Sequence, residues 1–325
     1  MKKILVLGHY PPPFIGPAVA TKIIAESKLN KKFDLDIFPI NDNNIMLLGK
    51  FSLKKILINI RFYISFFLKL LTKRFDLILI PVSQTTWGFI KDSVYIIIGK
   101  IFTVKIVIQL RGSNWENWLK SSWRTTNIYV HFIMKLTDGG IVLGENLKYL
   151  FSDYYQPDLI FSIPNGCDIK LKKRKSKNDK FRILYIGNLQ SSKGIIEVVN
   201  AMKYIQKFNL NIQLKVAGRW RDEDTKKYCL DMCKKNQLPI KFYHEVDHTN
   251  KYEFYAEADL FVFTPREPEG HPWVIVEALG SGLPIISTDK GVISDSVINT
   301  GTKIGEHCLI NTSSSIDHDN IFKNY

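Results

Sequence analysis

The sequence predicts an α/β protein made of two successive domains, each with a parallel β-sheet covered by helices. Three observations lead to this prediction. The chain has 325 residues, a length that usually divides into about two domains. Short runs of Val, Ile and Leu alternate with longer segments of helical periodicity, which is typical of repeated strand–helix–strand units. After residue 180 the same alternation begins again.

The first domain is predicted over residues 1–165. Its candidate strands show little polar–apolar alternation, as expected for a parallel sheet that is covered on both faces. Helical periodicity fills several of the intervals between them. The predicted strands are residues 4–7, 35–40, 77–82, 106–110, 140–143 and 159–163, and the predicted helices include residues 18–29, 51–71 and 128–136.

A linker and a second domain follow. Turn-forming residues at 164–168 lead into a strongly basic stretch, so residues 166–180 are predicted to form a solvated linker. The second domain, residues 181–325, is predicted to have strands at 182–186, 212–217, 240–243, 260–263 and 284–287 and helices at 194–206, 222–236, 250–258 and 273–280. Two such sheets place ligands outside the carboxyl ends of their strands.

Charge and cysteine usage restrict the class of protein. The net charge is +14, and the 165 N-terminal residues hold 21 basic and 11 acidic side chains. This excess predicts an anionic partner, such as a phosphorylated substrate, a membrane surface or a nucleic acid. The four cysteines show no disulfide framework, which indicates reduced thiols in a cytosolic protein. No stretch reaches about 18 uncharged apolar residues, so no transmembrane helix is predicted.

The most informative segment runs from Glu269 to Pro284. Glu269 lies in a predicted loop after a strand, and Glu277 follows near the start of the next helix. The backbone N–H groups of residues 271–274 would then form a helix N-terminus, which favours a phosphate. A carboxylate on each side can accept hydrogen bonds from sugar and ribose hydroxyls. The segment therefore predicts a clamp for a nucleotide-sugar, although Glu at a helix start is also common for dipole reasons alone.

Three further loops are predicted at the same sheet edges. Residues 186–194 form a loop that leads into a helix, and Lys193, near the start of that helix, is a point cation suited to a diphosphate. Gly218 and Arg219 follow the next strand. In the first domain, residues 8–16 form a glycine- and proline-rich loop between the first strand and the first helix, without a dinucleotide fingerprint or a P-loop lysine.

These segments, in this order, resemble the retaining glycosyltransferases of family 4. That family has the GT-B fold, in which two Rossmann-like domains face each other across a cleft. The resemblance is strongest over residues 182–297 and is weaker near Gly16 and at residues 111–113 and 164–166. The segment from Glu269 to Glu277 is similar to the corresponding segment of members that build bacterial surface polysaccharides. The tail of the segment also fits, through Ala278, Gly282 and Pro284.

The resemblance implies a role for each site residue. Glu269 would contact donor-sugar hydroxyls, Lys193 would neutralise the diphosphate, and Glu277 would hold the ribose. The resemblance also implies catalysis without a metal or other cofactor and retention of the anomeric configuration. The implied catalytic residues are Glu269, Lys193 and Arg111, and the implied donor-binding residues are Gly16, Asn188, Arg219, Val246, Gly270, His271, Trp273, Val274 and Glu277.

The sequence departs from the family pattern in three places. Asn188 stands where many members have an arginine beside the diphosphate, so Arg219 or Arg111 is expected to assist Lys193. Arg111 itself stands where many members have a histidine near the sugar. After residue 304 the resemblance ends, which predicts a second domain that is shortened at its C-terminus.

The segment 50–74 predicts a partner of a different kind. It has seven basic residues, no acidic ones, and many interleaved aromatic and aliphatic residues. A basic amphipathic helix of this type binds the headgroups of anionic lipids. The alternative is a core helix whose lysines extend to solvent. The first interpretation predicts a peripheral protein on the cytoplasmic face of the membrane, acting on a lipid-linked glycan acceptor in O-antigen, capsule or lipopolysaccharide synthesis.

Other functions remain open at this level. The chain could be a catalytically silent, membrane-associated assembly protein of the same fold, or a sugar-nucleotide 2-epimerase. A nucleic-acid-binding protein is disfavoured because no reading helix, zinc site or aromatic RNA-binding signature is present. Asp222 to Asp224 resemble an Asp-x-Asp metal motif, but acidic residues at a helix start explain them.

Overall fold

The computed structural model describes residues 1–12, 16–41, 53–166, 180–244, 246 and 250–293, without the side chains of residues 53–55. The chain forms two compact units that divide between Pro164 and Asn165. Most of the predicted linker, residues 167–179, and the chain after residue 293 lie outside the described residues, and so does the prediction of a shortened C-terminus.

The N-terminal unit is built on a parallel sheet with the strand order β2-β1-β3-β4-β5-β6. Its strands are rich in Val, Ile and Leu, and side chains such as Leu5, Ile78 and Ile108 are completely buried or nearly so. Burial of a side chain of this kind stabilises the fold by about 1.5–3 kcal/mol. The strands are β1 (Lys3–Gly8), β2 (Asp34–Pro39), β3 (Leu77–Val82), β4 (Lys105–Leu110), β5 (Gly139–Val142) and β6 (Ile160–Ser162).

The helices of this unit differ from the prediction mainly at their ends. The first helix stops at Glu26, because the Ser27 side chain accepts a hydrogen bond from the Leu29 N–H (3.3 Å) and starts a separate 3-10 turn. The predicted helix at 128–136 begins four residues earlier, in a polar stretch that carries no apolar periodicity. The helices are α1 (Gly16–Glu26), α2 (Leu53–Thr72), α3 (Thr86–Ile101), α4 (Trp115–Ser121) and α5 (Arg124–Met134).

The C-terminal unit has a parallel sheet with the strand order β11-β10-β7-β8-β9. Tyr185, Leu214 and Phe261 from three adjacent strands lie fully buried in its core. The strands are β7 (Phe181–Ile186), β8 (Ile212–Ala217), β9 (Ile240–Tyr243), β10 (Leu260–Phe263) and β11 (Ile285–Ser287). The helices are α6 (Ile195–Ile205), α7 (Glu223–Asn236), α8 (Lys251–Glu257) and α9 (Trp273–Gly280).

Helix α7 begins with an ordinary side-chain cap. The Asp222 carboxylate accepts a hydrogen bond from the Thr225 N–H at 2.7 Å, and Glu223 and Asp224 lie in the first turn. Acidic groups at these positions satisfy the free N–H groups and the positive end of the helix dipole. Within the described residues, no group of three or more His, Cys, Asp or Glu could hold a metal ion.

Each sheet has one point at which the strand order reverses. In the N-terminal unit this point lies between β1 and β3, because β2 is on one side of β1 and β3 on the other. In the C-terminal unit it lies between β7 and β10. Loops that leave the carboxyl ends of two such strands diverge, and the crevice between them is where doubly wound sheets bind ligands.

No described helix is long and apolar enough to span a membrane.

Candidate functional site

The loops that follow β7 and β10 bring Lys193 and Glu269 together at the reversal point of the C-terminal sheet. The Lys193 ammonium donates to Glu269 Oε1 in a close ion pair. Both side chains are partly exposed to solvent, so a ligand can reach them. The sequence predicted both residues for one site, although 76 positions separate them.

Backbone packing fixes Lys193 against the β10 loop. Gly194 has a left-handed backbone (φ +78°), and a Cβ there would overlap the carbonyl oxygen of Thr264. The Thr264 hydroxyl donates to the Gly194 carbonyl at 3.1 Å. On the other side, the Tyr185 hydroxyl donates to the Lys193 carbonyl at 2.9 Å. Only glycine adopts this conformation in so narrow a space, so the loop places Lys193 at a defined position.

The backbone of Glu269 is held by the segment that follows β11. Its carbonyl accepts a hydrogen bond from the Val292 N–H at 3.2 Å, and its own N–H donates to the Lys290 carbonyl at 3.4 Å. Gly291, with a φ of +73°, packs so closely on Glu269 that a Cβ would overlap the Glu269 carbonyl oxygen. Three segments distant in sequence therefore determine where the Glu269 carboxylate lies.

Helix α9 begins four residues after Glu269. Gly270, His271 and Pro272 are buried, and the helix starts at Trp273. The Pro272 carbonyl accepts the Ile275 N–H at 3.1 Å, so the N–H groups of the first helical residues have no partner within the helix. Trp273 and Val274 are half-buried and lie at this end of the helix. An N-terminus of this kind favours an anion.

His271 is held in place by its backbone, and its side chain is buried. The Asn165 side-chain amide donates to the His271 carbonyl at 2.7 Å. The imidazole Nδ1 is buried and has no hydrogen-bond partner among the described residues. Burial lowers the pKa of His271 below its ordinary value, because the charged imidazolium is poorly solvated there. The ring is therefore neutral at neutral pH.

Glu277 lies deeper than Glu269, with 3% of its surface exposed. Lys251 of α8 donates to Oε1, and the Tyr255 hydroxyl donates to Oε2 at 3.0 Å. Sequence reasoning identified Glu277 but missed both of its partners. Lys251 and Tyr255 are four residues apart on one helix, so they share a face. Their spacing is common, and no feature of the sequence connects them to Glu277.

The loops after β7 and β8 are joined beside this site. The Leu189 N–H donates to the Arg219 carbonyl at 2.9 Å, and the Arg221 N–H donates back to the Leu189 carbonyl at 3.1 Å. The Asn188 side chain accepts from Arg221 Nε at 3.0 Å. The Arg219 side chain is exposed. Asn188 and Arg219 thus lie at the same sheet edge as Lys193.

Two further predicted residues belong to the N-terminal unit, and a third belongs to a sparsely described part of the C-terminal unit. Gly16 is the first residue of α1 in the N-terminal unit. Arg111 follows β4 in the same unit, where its Nη1 donates to the Pro17 carbonyl at 2.5 Å. Val246 is half-buried between residues outside the described part of the chain. The implied role of Val246 in donor binding stays a prediction.

The assembled site combines one cation, one reachable carboxylate, a helix N-terminus and one buried carboxylate. The cation and the helix N-terminus can stabilise negative charge on a diphosphate. The carboxylates can accept hydrogen bonds from hydroxyl groups. Such a combination suits a ligand that carries a diphosphate together with sugar hydroxyls.

Part of this chain is similar to known glycosyltransferases. Residues 168–311 match the family model for glycosyl transferases group 1. Glycogen synthase of Mycobacterium tuberculosis (strain CDC 1551 / Oshkosh) is 23% identical over 201 residues, which are 60% of this chain and 47% of that protein. The lipopolysaccharide 1,2-N-acetylglucosaminetransferase of Salmonella typhimurium is 25% identical over 184 residues, or 51% of this chain and 48% of that protein.

Two further comparisons bear on the fold and on the kind of relative. The capsular polysaccharide biosynthesis glycosyltransferase CapM of Staphylococcus aureus is 32% identical over 145 residues, or 44% of this chain and 36% of CapM. The chain spans about half the length of the curated relatives it matches, or less. The structure of Anabaena HepE with UDP and glucose superposes with a TM-score of 0.66 and 18% identity, covering 93% of this chain and 84% of HepE.

The sucrose-phosphate synthase of Thermosynechococcus elongatus superposes with a TM-score of 0.70 and 16% identity, covering 92% of this chain and 84% of that structure. These likenesses confirm the predicted GT-B fold class. The resemblance to glycosyltransferases, including those of bacterial polysaccharide synthesis, is confirmed as well.

Proposed function

We propose that this chain, which carries a glycosyltransferase group 1 domain, transfers a hexosyl group from a nucleotide-sugar to a glycan acceptor with retention of configuration and without a metal ion. The observation that carries the proposal is the Lys193–Glu269 pair at the N-terminus of α9. A cation, a carboxylate and free helix amides meet where a doubly wound sheet binds its ligand.

Departure of the nucleoside diphosphate is the step that this site assists. As the bond between the sugar and the phosphate breaks, negative charge grows on the leaving oxygen. Lys193 and the first N–H groups of α9 stabilise that charge, which is the largest catalytic contribution that such a site can make. The leaving phosphate accepts the proton of the acceptor hydroxyl, so the proposed mechanism needs no separate protein base.

Glu269 changes partners when the donor binds. Without a donor its carboxylate is neutralised by Lys193. When the diphosphate takes over the Lys193 ammonium, Glu269 accepts hydrogen bonds from the hydroxyls of the sugar. This exchange positions the sugar and leaves a negative charge beside the positive charge that develops on its ring.

Glu277 contributes from a fixed position. Lys251 and Tyr255 each donate to one of its oxygens, which holds the carboxylate in one orientation. A carboxylate has about four acceptor sites, so two remain for a ribose hydroxyl. Glu277 therefore binds the ribose without the cost of ordering its own side chain.

The donor site is tested by calorimetric titration of the full chain with UDP, GDP and ADP in excess EDTA. One nucleotide is expected to bind without a metal ion. Lys193→Gln should weaken it roughly 10- to 100-fold, the cost of a lost charge-assisted hydrogen bond. Lys203→Gln, at an exposed lysine of α6, is the matched control and should leave the nucleotide affinity unchanged. Binding that needs a metal ion, or that ignores Lys193, contradicts the proposal.

Retention is tested with the sugar-nucleotide of the base that binds. Proton NMR of the released or transferred sugar, recorded early in the reaction, reports the anomeric configuration of the first product. An inverted product refutes the proposed mechanism. Interconversion of donors without any acceptor would instead identify a sugar-nucleotide epimerase.

We further propose that the chain acts in surface-polysaccharide synthesis on a lipid-linked acceptor, bound peripherally to the cytoplasmic face of the membrane. Its relatives include proteins named for lipopolysaccharide and capsule synthesis.

The surface of α2 supports the membrane contact. Its inward face packs in the core through Phe66 and Leu70, and its outward face is also apolar. Leu57 and Leu71 on that face are 68% and 63% exposed, and the other exposed members are Ile56, Ile60, Ile64, Phe67 and Leu68.

Charge contributes less to this surface than the sequence predicted. Lys69 and Lys73 both pair with Asp36, at 2.7 and 3.2 Å, so their charge is partly neutralised. The apolar stripe is therefore the main source of the proposed affinity. Co-sedimentation with phosphatidylglycerol vesicles should be lost in Leu57→Gln/Leu71→Gln and kept in Leu210→Gln, a similarly exposed leucine of the C-terminal unit. Equal sedimentation of all three proteins refutes the membrane contact.

A further inference from the structure

Beside the reversal point of the N-terminal sheet lies a half-buried arginine, Arg111, that has no counter-charge among the described residues. Arg111 follows β4, next to the β1–β3 reversal point. Its Nε donates to Gln109 Oε1 at 2.9 Å, and its Nη1 donates to the Pro17 carbonyl at 2.5 Å and to Thr21 Oγ1 at 3.2 Å. The three acceptors are neutral groups, so they orient the guanidinium without compensating its charge.

The charge of Arg111 is therefore costly in the isolated protein. No carboxylate in the part of the chain that the structure describes forms an ion pair with it. Burial lowers the pKa of Arg111 to about 10, and no charged group among the described residues opposes this shift. Buried guanidinium groups in proteins are normally paired, because an uncompensated charge loses its hydration.

Unused hydrogen-bonding groups lie beside Arg111. Its Nη2 is buried and has no partner among the described residues. Ser113, two positions on, is 9% exposed, and its hydroxyl is buried and likewise unpartnered. Gln84, at the end of neighbouring β3, packs its side-chain amide against Gly112 so closely that a Cβ there would overlap it, and Gln84 Oε1 has no partner among the described residues. Buried polar groups are usually satisfied, so three such groups around one glycine require an explanation.

A purely structural role explains only part of this arrangement. The Nε and Nη1 bonds fasten α1 to the end of β4, and a structural arginine would need no more. They leave unexplained the uncompensated charge, the free Nη2 and the free hydroxyl of Ser113. A tetrahedral oxyanion supplies what all three lack, since it neutralises a guanidinium and accepts hydrogen bonds from both donors.

We propose that Arg111, Ser113 and Gln84 form an anion site in the N-terminal unit that binds a phosphate group of a substrate. Arg111 Nη2 and the Ser113 hydroxyl donate to phosphate oxygens, and the Gln84 amide presents either its nitrogen or its oxygen, which are interchangeable by rotation. The existence of the site does not depend on the proposed transferase activity. Only the source of the phosphate does, and it is either the diphosphate of the donor or a phosphate carried by the acceptor.

The test is hydrogen exchange of the full chain with inorganic pyrophosphate as the probe, analysed peptide by peptide. Pyrophosphate is expected to slow exchange in the peptides that hold residues 83–86 and 110–115. The concentration needed should rise at least about tenfold in Arg111→Gln, in line with the loss of a charge-assisted hydrogen bond. Arg124→Gln, at an exposed arginine of the same unit, should behave as the wild type. Arg111→Lys should retain part of the affinity, and Ser113→Ala provides a second variant that leaves the α1 contacts intact.

Titration with nucleotide separates the two sources. If the phosphate belongs to the donor, the nucleoside diphosphate that binds the chain protects residues 83–86 and 110–115, and Lys193→Gln weakens this protection too. If it belongs to the acceptor, pyrophosphate still protects these residues when nucleotide is saturating. Protection confined to residues 187–194 and 264–273, or protection unchanged in Arg111→Gln and Ser113→Ala, overturns the anion site. Because nucleotide binding at Lys193 is measured in the same samples, failure of this site is distinguishable from failure of the proposed function.

Discussion

Lys251 offers the sharpest test of how the carboxylate at residue 277 is maintained. The Lys251 ammonium contacts Glu277 Oε1, and both side chains are buried or nearly so. Lys251→Met keeps the length and the apolar part of the side chain but removes the charge. The variant leaves the Glu277 carboxylate in the protein interior without its lysine partner, while the Tyr255 hydroxyl still donates to it.

The expected cost is large because the carboxylate cannot recover its hydration. Breaking a buried ion pair by removing one partner destabilises proteins by roughly 3–5 kcal/mol. An exposed pair of the same kind contributes about 0–1 kcal/mol. Lys226 and Glu223 on α7 form such a pair at 3.2 Å on the surface of the same unit, so Lys226→Met is the matched control.

The assay is urea unfolding of the full chain. Unfolding is monitored by hydrogen exchange in the α8 and α9 peptides, so that the C-terminal unit is observed separately. We expect Lys251→Met to lower its free energy of unfolding by roughly 3–5 kcal/mol. Lys226→Met should lower it by no more than about 1 kcal/mol. The double variant Lys251→Met/Glu277→Leu should recover most of the loss, because no buried charge remains.

The outcome that refutes this reasoning is a small effect of Lys251→Met, below about 1 kcal/mol, the range of a surface pair. A double variant as unstable as Lys251→Met would also refute it, since the loss would then come from the lysine side chain and not from the stranded carboxylate. Nucleotide affinity of the double variant should fall as well, because the proposed ribose acceptor is gone.

Other expected outcomes follow from single contacts. Gly194→Ala should destabilise the C-terminal unit by more than Gly282→Ala. Both positions have a left-handed backbone that costs roughly 1–2 kcal/mol for alanine, but only at Gly194 does the new Cβ meet backbone atoms. Equal losses of stability in the two variants would refute this prediction. Burial lowers the pKa of His271, so as the pH drops below about 6.5 the unfolded state takes up a proton that the folded state does not. The free energy of unfolding should therefore fall, by at most about 1.4 kcal/mol per pH unit. Urea midpoints measured between pH 8 and 5 should decline less in His271→Gln than in the wild type. Asp222→Ala should lower the free energy of unfolding by about 1 kcal/mol because the cap of α7 is lost, whereas Asp224→Ala should lower it by about a few tenths of a kcal/mol. A dependence of either value on a metal ion would contradict the capping interpretation.

The sequence was a good guide wherever local chemistry repeats. Strands such as β3 and β4 are nearly continuous apolar runs, so their positions were predicted almost to the residue. Helices α3 and α4 were not placed in advance. Helix α3 is apolar around much of its surface, and α4 has only seven residues, so neither offers a clear one-sided pattern.

The candidate site divides in the same way. Lys193 and Glu269 were predicted together because each follows a strand, and carboxyl ends of parallel strands share one edge of the sheet. The pairing of Lys251 with Glu277 could not be predicted. It depends on how α8 packs against α9, and side-chain contacts between helices distant in sequence leave no local pattern.

By itself, therefore, the sequence determined the two-domain α/β architecture, the strand-end loops and the residue types that suit a diphosphate and sugar hydroxyls. Only the tertiary structure decided which of those groups are satisfied. It neutralised Glu269 with Lys193 and Glu277 with Lys251, and it left Arg111 half-buried without a counter-charge among the described residues. The physical reason is that composition and periodicity act locally along the chain, whereas the cost of a buried charge depends on every group that the fold brings within a few ångströms of it.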